Sequence, residues 1–106
     1  MANNLVVILD DGGGITVQCD GYVHNYDDVH EAARAVKAIL DGADPAAEWD
    51  GNNPDDRIEW TSEDVWNGAY RVYGEGDLRT AMASDQDISV GWHNERNFLA
   101  SLTGLR

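Results

Sequence analysis

The sequence predicts an α+β fold: a small antiparallel sheet of three to five strands, packed by one amphipathic helix over about residues 28–41, with a short C-terminal helix. Three observations predict it. Short β-branched or alternating runs at 5–9, 15–19 and 22–26 follow one another across turn formers, the pattern of a hairpin or meander. A three-turn apolar stripe then occupies 28–41. A further aromatic alternation stands at 69–73. A chain of 106 residues has room for a single core, so the expected organisation is one domain, 1–106.

Leu5-Val-Val-Ile-Leu9 stops at Asp10-Asp11-Gly12-Gly13-Gly14, and Ile15-Thr-Val-Gln-Cys19 resumes with period two. The glycines are read as a turn. A phosphate-cradling loop needs a following Gly-Lys-Ser/Thr and a helix, and Ile15-Thr16-Val17 supplies neither. Asp20-Gly21 is a second turn signal, and Tyr22-Val-His-Asn-Tyr26 the third strand. Asp27 or Asp28 caps the helix, with Asp28 and Glu31 at the positive end of its dipole. Its buried stripe is Val29, Ala32, Ala33, Val36, Ile39 and Leu40, while His30, Glu31, Arg34, Lys37 and Asp41 face water. Gly42 ends it and Pro45 prevents resumption.

After the helix the turn formers Asp50-Gly-Asn-Asn-Pro-Asp55 predict a loop, and 57–60 a short strand. Thr61-Ser-Glu-Asp64 predicts a capping box opening a short helix that Asn67-Gly68 ends. Residues 69–73 form a strand with Tyr70 and Val72 on one face, Arg71 and Tyr73 on the other. Gly74-Glu-Gly-Asp77 turns the chain, 78–83 makes a helical turn, and 88–92 a further strand. Phe98, Leu99 and Leu102 predict a closing helix over 94–102.

The formal charge is −13, and residues 41–64 concentrate it: Asp41, Asp44, Glu48, Asp50, Asp55, Asp56, Glu59, Glu63 and Asp64 against Arg57 alone. Trp49 and Trp60 lie among these carboxylates and Trp66 just beyond. A solvated loop has no use for large aromatics, so Trp49 and Trp60 are expected to pack the segment down, with Asp55 and Asp56 at its tip. Such a balance excludes ordinary nucleic-acid or anionic-membrane binding, which needs Lys/Arg surfaces. It favours cationic partners. The aromatic content argues against disorder. One cysteine, Cys19, cannot form an internal disulfide, and the 5–9 apolar run is too short for a signal peptide or membrane span; a cytoplasmic protein is expected.

No catalytic or metal grouping is predicted. As a calcium loop, Asp50 and Asn52 would be followed by Pro54, which has no side-chain oxygen; Asp55 stands where Gly is required and Thr61 where a bidentate Glu belongs. Cys19, His24, His30 and His93 show no zinc spacing. Cys19 is expected to be a small core residue and the histidines polar surface groups. No serine stands beside a histidine in an interpretable motif. The expectation is a non-enzyme without cofactor.

What remains is charge display. DNA presents its phosphates at about 3.4 Å per strand to rows of Lys and Arg, and a folded polyanion can compete for the same rows. Tyr22-Val-His-Asn-Tyr-Asp-Asp28 running into an Ala-rich helix, Trp49-Asp-Gly-Asn-Asn53 and Asn67-Gly-Ala-Tyr-Arg-Val-Tyr73 resemble small acidic proteins of phages and mobile elements. In size and charge the whole chain is similar to anti-CRISPR inhibitors of surveillance complexes and to anti-restriction DNA mimics. The resemblance implies a stoichiometric inhibitor, acting in the host cytoplasm, that occupies a basic DNA-binding surface of a host defence complex. The partner-binding candidates are Asp44, Glu48, Asp50, Asp55, Asp56, Glu59, Glu63, Asp64, Trp49 and Trp60. The alternative is an adaptor or structural module that binds through its aromatic surface, with acidity serving solubility.

Overall fold

The computed structural model describes residues 5–10, 13–19, 21–44, 58–83 and 93–105. Four strands, β1 (Val6–Asp10), β2 (Ile15–Cys19), β3 (Tyr22–Tyr26) and β4 (Tyr70–Gly74), form one antiparallel sheet in the order β3-β2-β1-β4. Among the described residues four helices accompany it: α1 (Val29–Leu40), α2 (Ser62–Trp66), α3 (Glu75–Ala83) and α4 (His93–Gly104). The small α+β architecture expected from the pattern is the one observed.

The register follows from side-chain alternation. Val7 pairs with Val17 and Leu9 with Ile15, which brings Leu5, Val7, Leu9, Ile15, Val17 and Cys19 onto one face. On this face lie Ala32, Ala33, Val36, Ile39 and Leu40 of α1, Leu78 of α3, and Phe98, Leu99 and Leu102 of α4, all in one buried cluster. The alanines let α1 sit close to the strands. Cys19 is part of this core.

The opposite face departs from simple alternation, which predicts water there. Ile8, Thr16, Gln18 and Val23 are buried as well, so every residue of β2 is inside. The polar pair is accommodated by hydrogen bonds. The Thr16 hydroxyl donates to Asn25 Oδ1 at 2.6 Å, and the Gln18 amide donates to the Ile58 carbonyl at 3.3 Å. The chain at Ile58 therefore passes over this side of the sheet.

Helix ends are chemically specified. Asp28 accepts from the His30 N–H at 2.8 Å, as an N-cap should. At the other end Gly42, at φ +103, donates to the Ile39 carbonyl while Ala43 donates to Ala38, a Schellman closure. Arg79 of α3 adds a donor to the Leu40 carbonyl at 2.8 Å while paired with Glu75, so a cation stands at the negative end of α1.

Three expectations are corrected. Ile58–Trp60 forms no strand: the sheet edge nearby is β4, and Ile58 crosses the face instead. Gly74-Glu-Gly-Asp77 opens α3 rather than a loop, because Asp77 Oδ2 accepts the Gly74 N–H at 3.0 Å, as an acidic third-position residue does at a helix start. The closing helix runs one residue earlier and two later than expected, 12 residues in all like α1, and Glu95 joins its stripe of Phe98, Leu99 and Leu102. The strand expected over 88–92 lies outside the described residues.

Candidate partner-binding surface

The acidic segment re-enters the described residues at Ile58, and its end is built around α2. Five residues make a marginal helix, so the ends must hold it. Thr61 Oγ1 accepts from the Asp64 N–H at 3.1 Å, and Asp64 Oδ2 accepts from the Thr61 N–H at 2.9 Å, the reciprocal box that the sequence predicts. Gly68, at φ +80, donates to Val65 and Ala69 to Asp64, closing the other end.

This one-turn helix displays what most folds conceal. Trp66 is 88% exposed, and Trp60, just before the cap, is 39% exposed. Trp60 therefore stands outside the core cluster and only partly packs the segment down. Glu59 and Glu63 are exposed, and Asp64 is partly covered because its carboxylate serves the cap. Glu63 precedes Trp66 by three residues, which puts both on one helix surface. Asp44 is exposed just beyond the closure of α1. The surface thus brings together Glu59, Trp60, Glu63 and Asp64 from the predicted set. Glu48, Trp49, Asp50, Asp55 and Asp56 lie outside the described residues.

Two depressions flank α2. One, of about 490 Å³, is lined by Val6, Trp60, Val65, Val72, Gly74 and Asp77. The other, of about 570 Å³, includes Arg71, Tyr73, Thr80, Ala81 and Glu95. They share Val65, Val72 and Asp77, so they follow β4 on both of its faces. Glu95 is charged, yet it occupies a stripe position of α4 and is only 4% exposed. Its carboxylate accepts the Tyr73 hydroxyl and stands 3.9 Å from Arg71 Nε. Burial pushes the Tyr73 phenol up, and the Glu95 carboxylate that accepts its hydrogen bond pushes it further the same way.

Sequence reasoning did not assign Trp66 to the site. The signal was present: a helix opened by Thr61 and closed by Asn67-Gly68 is too short for later turns to cover it. Glu95 was also missed, although its i, i+3, i+4, i+7 relation to Phe98, Leu99 and Leu102 assigns it an inward position. The fold further joins Ser101 Oγ to His30 Nδ1 at 2.7 Å across α4 and α1, a pairing separated by 71 residues in sequence. Among the described residues no carboxylate holds the other ring nitrogen, so this contact acts as a helix–helix tie. Among the described residues there is no grouping of three or more His, Cys, Asp or Glu side chains able to hold a metal ion, and no helix long and apolar enough to cross a membrane. Comparison with protein families, curated proteins and solved structures gives no match.

Proposed function

We propose that the protein is a stoichiometric binding protein that engages a Lys/Arg-rich protein surface, with Trp66 and Trp60 as aromatic anchors and Glu59, Glu63 and Asp64 as the carboxylates around them. The observation that carries this reading is the 88% exposure of Trp66 on a doubly capped helix turn bearing carboxylates. Burying a Trp that the monomer leaves in water is the usual source of hot-spot energy in an interface. Carboxylates beside it steer a basic partner and reject acidic ones. With a formal charge of −13, a Lys/Arg-rich nucleic-acid-binding surface of a host defence complex is the partner this reading favours, and occupying it blocks DNA. Asp44, exposed beyond the closure of α1, is a further carboxylate of the predicted set, while Glu48, Trp49, Asp50, Asp55 and Asp56 lie outside the described residues.

The aromatic exposure also favours a second reading, an adaptor whose affinity comes from Trp60 and Trp66 while acidity keeps it soluble. Salt separates the two. Co-purification from host lysate at low and high salt, followed by titration of the captured partner, should show affinity falling steeply with salt. Glu59→Lys with Glu63→Lys should weaken binding and flatten that dependence while thermal unfolding is unchanged. Binding indifferent to salt and to this charge reversal, yet lost in Trp66→Ala, establishes the adaptor instead.

A further inference from the structure

Among the described residues the sheet order leaves β4 at an edge, with β1 on one side only. Which of its main-chain groups face outward follows from the cap of α3. Gly74 N–H is taken by Asp77, so it points away from β1; Val72, two residues earlier, points its N–H and C=O the same way. Among the described residues nothing pairs with the Val72 main chain. Natural sheets cover, charge or kink such an edge because it is a template for another strand. Here it runs between the two depressions, which share Val65, Val72 and Asp77.

We propose that the outer edge of β4 at Val72 is a strand-addition site for an extended, Lys/Arg-bearing segment of a partner protein. An added strand sends alternate side chains to opposite faces of the sheet. One parity enters the Val6, Trp60 and Val65 depression, where an apolar group or an alkyl stem is buried. The other enters the depression floored by Tyr73 and Glu95. Asp77 borders both, and Trp60 lines the first and is 39% exposed. Arg71 is the one cation lining either depression among the described residues, and the Glu95 carboxylate at 3.9 Å offsets it. The surplus sign is negative. Charge selects the occupant: a second copy of this chain would bring another −13 to the edge, whereas a basic segment lowers the repulsion.

This inference rests on the basic-partner reading above, and the test separates their failures. The probe is a short capped peptide alternating Lys with Val, compared with the same peptide N-methylated at alternate amides, which keeps charge and side chains but cannot complete a ladder. Binding is followed by fluorescence and by residue-resolved amide exchange. The expected result is that the unmodified peptide slows exchange at Val72 by about tenfold or more, and that methylation weakens binding by about tenfold or more. If both peptides bind equally and Val72 exchange is unchanged, strand addition is overturned while the acidic–aromatic surface stands. If neither binds at low salt, both readings fall. If Val72 is already protected in the free protein through a dimer, the edge is a self-association surface and the proposal is overturned.

Discussion

The buried carboxylate of α4 permits a quantitative test by a double-mutant cycle on Tyr73 and Glu95. Glu95 has 5% side-chain exposure and accepts the Tyr73 hydroxyl. Tyr73→Phe removes that donor and leaves a buried carboxylate short of one hydrogen bond, a loss of about 1.5–3 kcal/mol for a bond to a charged group. Glu95→Leu suits the neighbouring Phe98, Leu99 and Leu102 but strands the half-buried phenol, at about 1–3 kcal/mol. Arg71 loses a partner at 3.9 Å, yet its side chain is 42% exposed and rehydrates, so this adds about 0–1 kcal/mol. In the double variant both polar groups are gone and the site is apolar, a replacement that is often neutral or stabilising. The double variant should therefore be more stable than the sum of the singles by about 2 kcal/mol. Urea unfolding followed by circular dichroism, with m-values compared across the four proteins, measures it. Additivity within about 0.5 kcal/mol would refute the view that Tyr73 and Glu95 form one buried unit.

Other outcomes follow from the same structure. Because Tyr73 ionises above its ordinary value of 10.0 in the folded protein, the native state keeps a proton that the unfolded chain loses. Stability from this group is complete below pH 10 and declines as pH rises past it, and the decline should be smaller in Tyr73→Phe when melting is followed through the alkaline range. Asp28→Ala removes the cap that accepts the His30 N–H and should lower stability by about 1 kcal/mol in chemical denaturation. Gly42→Ala forces a Cβ onto a residue at φ +103 and should cost about 1–2 kcal/mol; its surroundings are open, so strain alone is responsible. Trp66→Ala should leave the melting temperature unchanged while weakening partner binding by about 2 kcal/mol or more, read by calorimetry.

Much of the fold was legible because local signals agreed with one another. Residues Ile15–Cys19 and Tyr22–Tyr26 are strands with the expected bounds, and α1 has the expected cap, stripe and glycine closure, each a short-range matter of turn chemistry and periodicity. The box at Thr61 and Asp64 was legible for the same reason. What the sequence concealed depends on distant pieces. That Thr16 and Gln18 are buried is decided by Asn25 and by the Ile58 carbonyl, 40 residues from Gln18. That Gly74 begins a helix depends on one carboxylate, while Gly-Glu-Gly-Asp reads locally as a turn. The spacing assigns Glu95 inward, but the partner that makes a buried carboxylate tenable there was illegible, because Tyr73 comes from another element. For the site, the acidic character and Trp60 were readable; the exposure of Trp66 was signalled only indirectly, by the shortness of the helix between Thr61 and Gly68.

The two closures of α2 have a consequence for the lifetime of any complex it makes. A five-residue helix without them samples many shapes, and a partner would have to select one before Trp66 could seat. Thr61, Asp64 and Gly68 settle that choice in the free protein, so little order remains to be lost on contact. Breaking the cap with Thr61→Ala would therefore shorten residence, although Thr61 itself need not touch the partner. In this sense the grip of the surface is set as much by two hydrogen bonds within one turn as by the ring they hold in place.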